Sequence, residues 1–284
     1  MEIIVDSKNN GKLIIKEIDK NTAKNIIINN HYSKTWNTSF GIINVGIFKY
    51  DNPTKCLGCA VFGNLMQQST YSNIADVNKG EIIELNRMWI DDCLGKNAES
   101  ILISRSFKII KATMPKVKLI QSFADGRLGC GTIYKASNFR YYGTKKAIFG
   151  KSNINGDVVM RVNFENTRRY NYMSELCYRF SKGEFNFFEV TTYRYIYALR
   201  PKYYKLIKLK ELEYPKYEKG MRDSKFTLPI SNLIRGYVIL DKIGKTKEAE
   251  ELRQYCTERC TDEEFKLYVN KAEENKFIKG IKIN

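Results

Sequence analysis

Over residues 1–199 the spacing of hydrophobic positions switches repeatedly between a period of two and a period near 3.6, and each switch marks a change of element. Residues 2–5 and 12–18 are short β-branched runs on either side of Asn9-Asn10-Gly11, so a hairpin is expected first. Residues 19–30 then place Ala23, Ile26 and Ile27 at helical spacing, and the helix delivers His31-Tyr32-Ser33 to its C-terminal end. Residues 40–50 and 55–62 are β-branched and aromatic, with the turn former Asp51-Asn52-Pro53 between them, which predicts a second antiparallel hairpin. Residues 69–79 are polar and read as a loop or an irregular helix.

The stretch 84–143 is the organising segment of the chain. A strand over 81–90 runs into a loop at 91–96; a helix then starts with Asn97 as its N-cap and continues to about residue 113, with Ala98, Ile101, Leu102 and Ile109 on one stripe. A strand over 118–123, a short helix over 131–137 and an aromatic strand over 139–143 complete it. Beyond a polar insertion at about 144–186, residues 187–199 read as a long closing strand, and residues 200–225 as a basic, aromatic connection. Residues 228–284 are helical, the third helix being announced by a capping box of Thr261 and Glu264. The pattern implies an α/β fold, a mixed twisted sheet flanked by helices, in a domain of residues 1–225, with a small helical C-terminal appendage over 226–284.

Charge changes this picture. The chain carries a formal net charge of +17, unevenly distributed: +9 over residues 1–150, +7 over 151–225 and +1 over 226–284. The near-neutral tail shares the lysine-rich composition, so the excess elsewhere points to a polyanionic partner. No apolar run reaches the ~20 residues of a membrane span, and the N-terminus lacks a secretion signal, so a cytoplasmic protein with seven reduced cysteines is expected. Cys56 and Cys59 with Cys256 and Cys260 would offer four thiolates to zinc, but residues three apart on a strand face opposite ways, which argues against it.

Two stretches hold candidate chemistry. Leu94-Gly95-Lys96-Asn97-Ala98, followed by Ser100, puts free amides, a helix N-terminus and a lysine where a pyrophosphate could be held. Arg168, Arg169, Arg200 and Lys202, set among tyrosines, are candidate nucleic-acid contacts, arginine and lysine neutralising phosphate and tyrosine stacking on a base.

Residues 131–139, GTIYKASNF, resemble the A-x-x-L-Y-x-x-x-G-F signature of the GCN5-related N-acetyltransferase (GNAT) fold, with Asn138 in place of the usual glycine. A closer resemblance, over residues 31–199, is to the bacteriophage Mom family, carried by HYSKTW, the L-x-R-x-W-x-D-D segment at 85–92, Asn97-x-x-Ser100, SFAD and GTIYKASN. It implies a GNAT-like enzyme that converts adenine in DNA to its N6-carbamoylmethyl form in a phage-bearing bacterial host, protecting phage DNA from restriction. By the same resemblance Tyr134 is the proton donor to a coenzyme A leaving group, Arg87 and Ser100 belong to the donor region, and His31, Tyr32 and Asp125 bind iron. An imidazole, a phenolate and a carboxylate suit such a hard ion. The double-stranded DNA acceptor would present a flipped adenine. The alternatives are a GNAT-type acyltransferase acting on RNA or protein, and a non-catalytic nucleic-acid-binding counter-defence protein.

Overall fold

The computed structural model describes all residues except 67–69, 155, 157, 161–170, 217–223, 226–227 and 282–284. The chain divides into two compact units, Met1–Lys145 with Thr191–Met221, and Lys146–Val190 with Arg222–Asn284.

In the first unit, β1 (Glu2–Ser7) and β2 (Gly11–Glu17) form the expected hairpin, followed by α1 (Lys20–Asn30). The helix starts where Asp19 caps it, its Oδ1 accepting from the Asn21 and Thr22 amides at 2.9 Å. β3 (Ile43–Lys49), β4 (Gly58–Gly63) and β5 (Ile82–Ile90) continue the sheet antiparallel, with the single turn α2 (Tyr71–Ile74) before β5. α3 (Ala98–Thr113) then crosses to β6 (Leu119–Asp125), which lies parallel to β5. α4 (Thr132–Ala136) leads into β7 (Arg140–Ser152), whose end lies in the second unit together with β8 (Val158–Met160) and α5 (Asn171–Ser181); β9 (Phe185–Ala198) brings the chain back to the first unit, antiparallel to β6. The strand order is β1-β2-β3-β4-β5-β6-β9-β7-β8, with the two-residue strand β10 (Ser224–Lys225) also pairing with β9, a mixed sheet flanked by helices as the hydrophobic pattern implied.

The central strands are buried on both faces because helices cover both. α1 packs Ala23 and Ile27 with Phe40, Cys59 and Val61 on one side. On the other, α3 seats Leu102, Ile103, Phe107, Ile109 and Ile110 against Leu13, Ile15, Val45, Ile47, Phe62, Ile83 and Leu85. Each of those α3 side chains contributes roughly 1.5–3 kcal/mol by burial, an upper bound that still makes α3 a firm platform.

The consequential irregularity lies between β5 and β6. Their parallel ladder consists of Ile82↔Leu119, Ile83↔Ile120 and Glu84↔Gln121, and then stops. On its other edge β5 pairs Leu85 with Phe62 but Arg87 with Val61, so Asn86 is one residue too many and bulges, re-aiming Arg87 and the rest of the strand. A gap therefore opens between β5 and β6 beyond Glu84 and Gln121, each strand staying paired only to its other neighbour.

Two local expectations are corrected. Asn97 does precede α3, but it sits at φ 73° and its side chain makes no capping hydrogen bond. Strand β7 extends to Ser152, well into the stretch whose polarity suggested an insertion, with Phe149 buried near its end.

In the second unit, α5 packs with α6 (Ile230–Lys242) and α7 (Thr246–Thr257) around Leu176, Cys177, Leu233, Ile234, Leu252 and Cys256. Gly236 permits the closest approach, since a Cβ there would stand 2.6 Å from that of Cys177. α8 (Asp262–Glu273) opens with the capping box of Thr261 and Glu264, and the single turn α9 (Lys276–Lys279) follows. Among the described residues, no helix is long and apolar enough to cross a membrane.

Candidate active site

The gap beyond the β5–β6 ladder is filled by side chains in place of backbone hydrogen bonds. Ser122, the first β6 residue past the last pair, lies with its Oγ 2.9 Å from the carbonyl of Leu85, the matching residue of β5. The same Oγ is 2.9 Å from the hydroxyl of Tyr134, which also reaches the Phe123 carbonyl at 3.3 Å. Tyr134 is fixed by its ring, stacked on Tyr195 at 5.1 Å and edge-on to Phe139 at 5.3 Å. Burial pushes its hydroxyl above the ordinary tyrosine value, and the Ser122 hydrogen bond opposes that rise.

The helix that carries Tyr134 is bounded by two left-handed residues. Gly131 has φ 94°, and a Cβ there would come 2.6 Å from the Tyr195 ring and 3.0 Å from Ala124. Asn138 has φ 60°, with the Phe139 amide donating back to the Tyr134 carbonyl at 3.0 Å. Asparagine is the side chain that best tolerates this conformation, which explains how it replaces the glycine of the family signature.

On the opposite face of the same strands, Glu84 is buried and accepts from Asn86 Nδ2 and Gln121 Nε2, both at 3.1 Å. Burial raises its carboxyl above the usual range, against the pull of those hydrogen bonds and of Arg87. Around it Asn86 Oδ1, Gln121 Oε1, Arg87 Nε and Arg194 Nε have no hydrogen-bond partner among the described residues. Orphaned buried polar atoms are uncommon, and here they gather at one place.

Arg87 makes its contacts with uncharged groups. Its Nη1 donates to the Asn86 carbonyl at 2.7 Å and its Nη2 to Thr35 at 3.2 Å, while the guanidinium lies 4.7 Å over the Phe40 ring. This charge acts on His31, Tyr32 and Tyr134 alike, as does Asp125 on the first two, so five of the sequence-selected residues share one electrostatic neighbourhood. His31 is lowered to about 4 by burial, with Arg87 adding to the effect and Asp125 opposing it. Its ring is therefore neutral at physiological pH, and its Nδ1 accepts from the Ser33 amide at 3.1 Å, which leaves the proton on Nε2. Tyr32 keeps a side chain 58 % exposed, yet displacement of water around its phenol, helped by Asp125, pushes the hydroxyl up to about 12.

The donor set His31, Tyr32 and Asp125 does not fit a metal ion as it stands. Both Asp125 oxygens are held by Arg127, Oδ1 by Nε at 3.0 Å and Oδ2 by Nη2 at 2.5 Å, with the Arg127 amide on Oδ1 as well. Among the described residues, no three His, Cys, Asp or Glu side chains come together as a metal group, which includes the cysteines.

The loop before α3 is less open than its sequence suggests. The β1–β2 turn reaches across to it: Asn10 Oδ1 accepts from the Gly95 amide, and Asn10 Nδ2 donates to the Lys96 carbonyl at 3.2 Å. Leu94 and Ala98 are core residues, and Ser100 donates to the Asn97 carbonyl at 3.0 Å. The flank of α3 offers more. A cleft of about 370 Å³ between α3 and the end of α4 is lined by Ser100, Ser104, Arg105, Lys108, Lys111 and Asn138. The three cations have no ion-pair partner among the described residues. Through Lys111, Asn138 and Tyr197 it adjoins a second cleft of about 580 Å³ bearing Arg140, Tyr204 and Tyr214. The arrangement fits a phosphorylated ligand along α3, with Ser100 at its edge.

Of the candidate nucleic-acid contacts, Arg168 and Arg169 lie outside the described residues. Arg200 and Lys202 are exposed at the start of a 3-10 turn, Pro201–Leu206, with the Lys202 ammonium 5.6 Å over the Tyr203 ring. Sequence reasoning did not single out Glu84, Gln121 or the cations of α3. The signal was available for the first two, because Glu and Gln inside apolar strands demand a partner; for α3, Arg105, Lys108 and Lys111 recur at a spacing of three.

Known proteins similar to the chain place it in a family. The solved structures similar to it include acetyltransferases. Arabidopsis thaliana NAA60 in complex with a bisubstrate analogue matches with a TM-score of 0.41 and 12 % identity, covering 66 % of this chain and 97 % of that one. An acetyltransferase of the GNAT family from Streptococcus pneumoniae matches with a TM-score of 0.36 and 11 % identity, covering 66 % and 98 %. Among curated proteins, methylcarbamoylase mom of Escherichia phage Mu is 33 % identical over 130 residues, 45 % of this chain and 52 % of that protein; the chain thus matches about half of that relative's length. The model of the Mom protein family matches residues 12–216, from β2 past β9 and across every residue of the gap described above, and the chain belongs to the Mom protein family.

Proposed function

We propose that this protein is a DNA-modifying transferase that places a carbamoylmethyl group on N6 of adenine, using a coenzyme A-linked donor, and so shields phage DNA from restriction. Membership of the Mom family supports the reaction class. The observation that carries the reading is Tyr134, whose hydroxyl is held in the β5–β6 gap by Ser122 and Phe123, on the short helix whose C-terminal end, Ala136, Ser137 and Asn138, lines the cationic α3 cleft.

When bound, a coenzyme A-linked donor would supply a thioester carbonyl with a thiolate leaving group, that carbonyl becoming the amide of the carbamoylmethyl group as an amine of the ammonia class displaces the thiolate; the N6–CH2 bond belongs to a separate step. Arg105, Lys108 and Lys111 hold its phosphates along α3, where no carboxylate lines the cleft to compete. The raised Tyr134 hydroxyl keeps its proton at neutral pH and has it available at Oη for a departing sulfur. Opposite, neutral His31, the Arg127-bound Asp125 and Arg87 form a polar wall on which Tyr32 offers an exposed ring to an extruded base. The positive charge of the rest of the chain, with Arg168, Arg169, Arg200 and Lys202 as leading contacts, attracts the duplex.

Mass spectrometry of nucleosides from the DNA of cells expressing the protein tests this. A deoxyadenosine heavier by the carbamoylmethyl group should accumulate with the wild type and vanish with Tyr134→Phe. Unmodified DNA in cells full of folded wild-type protein overturns the reading.

A further inference from the structure

Ser122 puts a hydroxyl at the break in the β5–β6 ladder. It is completely buried, and its Oγ is equidistant, at 2.9 Å, from the Leu85 carbonyl and the Tyr134 hydroxyl. A serine carries one proton, so it donates to one of these at a time. Leu85 O is the first β5 carbonyl past the last ladder pair, Glu84↔Gln121, so the same break that opens the gap leaves this acceptor for a side chain.

We infer that Ser122 is a positioning residue for Tyr134: its hydroxyl donates to Leu85 O while the phenol keeps its proton, then turns to donate to the phenolate once that proton has left. The inference rests on the reading of Tyr134 as proton donor. In the step the Tyr134 Oη–H bond breaks and the proton goes to the departing sulfur. Ser122 keeps its own proton and only exchanges one acceptor for another, so nothing further is consumed. The Tyr134–Phe123 contact at 3.3 Å does not substitute, because a carbonyl cannot donate to a phenolate.

The groups facing Tyr134 are Glu84 and Arg87 from β5, the stacked Tyr195 from β9, and Tyr32 beyond α1. None of them is bonded to Ser122 Oγ, so a change at Ser122 leaves them in place. Ser122→Ala removes one atom from a sealed position, and Ser122→Cys keeps the shape with a weaker donor.

The test measures DNA modification against pH with donor and DNA in excess, alongside nuclear magnetic resonance of protein carrying 13C at the tyrosine ζ position. The Tyr134 signal is assigned by its loss in Tyr134→Phe. For Ser122→Ala we expect kcat to fall roughly 10- to 100-fold with KM unchanged, the size of losing one donor to a developing anion. The alkaline limb of the rate profile and the Tyr134 titration should both move to higher pH, and Ser122→Cys should fall between. An unchanged rate overturns the inference, as does a lower rate with the Tyr134 titration unmoved, which is what mere packing would give. A full rate in Tyr134→Phe instead overturns the reading of Tyr134 as proton donor, and with it this role for Ser122.

Discussion

Two stretches that both looked chemical in the sequence behave differently in the fold. The loop at 91–97 has the composition of an anion cradle, but the β1–β2 turn satisfies it: Asn10 takes the Gly95 amide and the Lys96 carbonyl, and Ser100 turns back to Asn97. The stretch 122–139 is the opposite. Its polar side chains are not spent on neighbouring loops: Ser122 and Tyr134 face each other in a gap of the sheet, and the opposite face of the same strands carries buried polar atoms without partners among the described residues. A hydrogen-bonding group is available to a ligand only when the rest of the chain has not already used it. Local sequence cannot report that.

The largest effect that would break the comparison is at Tyr134. Loss of a positioned acid costs about 10²- to 10⁴-fold, so Tyr134→Phe should lower the DNA modification rate by that much while circular dichroism stays unchanged. Lys96→Gln and Asn97→Ala, on the loop, should each change it by less than about threefold. Equal losses on both sides would show that the loop takes part after all.

His31 sharpens the contrast through pH. Its ring is lowered to about 4 in the folded chain, against ~6.5 when unfolded, so below about pH 6.5 the unfolded state takes up a proton that the folded state refuses. Stability should therefore be full at pH 7 and lost progressively as pH falls to about 4, by about 3 kcal/mol in total. Urea unfolding at pH 7, 5.5 and 4 should show this loss shrinking in His31→Gln. An identical slope in wild type and variant would mean that the ring is not sealed from water.

A smaller effect concerns the donor. If α3 rather than the loop holds its phosphates, Lys108→Gln with Lys111→Gln should cost about 1 kcal/mol for each cation, together roughly a 30-fold weaker Kd for coenzyme A by calorimetry. Lys96→Gln should leave that Kd nearly unchanged. The reverse ranking would return the phosphates to the loop.

How much of the fold was legible depends on the range of the interactions. The N-terminal hairpin, α1, the β3–β4 pair and the Thr261–Glu264 box all rest on residues close in sequence, and all stand where expected. The alternation of strands and helices likewise gave the mixed sheet. What escaped depends on register between distant segments. Glu84 meets Gln121 because the parallel ladder sets them side by side, and Arg87 turns to Thr35 and Phe40 because Asn86 bulges. Asn97 looked like a helix cap from its residue type, but its left-handed φ withholds the side chain. Asn138 looked like a departure from a glycine signature, and its φ of 60° shows that the conformation was kept.

The most delicate prediction addresses why the loop is closed. Asn10→Ala removes the acceptor of the Gly95 amide and the donor to Lys96 O, which should cost about 1 kcal/mol of stability, since both groups sit at the surface where water replaces the lost partner. If the loop is only a structural bend, coenzyme A affinity should then move by less than about threefold. An affinity at least tenfold tighter would mean that Asn10 masks an anion site whose freed amide joins the α3 cations. In that case the difference between the two stretches would come from one asparagine rather than from the sheet. Calorimetry of the single variant, read beside the Lys108→Gln and Lys111→Gln pair, separates the two explanations: a tightened Kd must disappear again when those lysines are also removed if both elements grip the same phosphates.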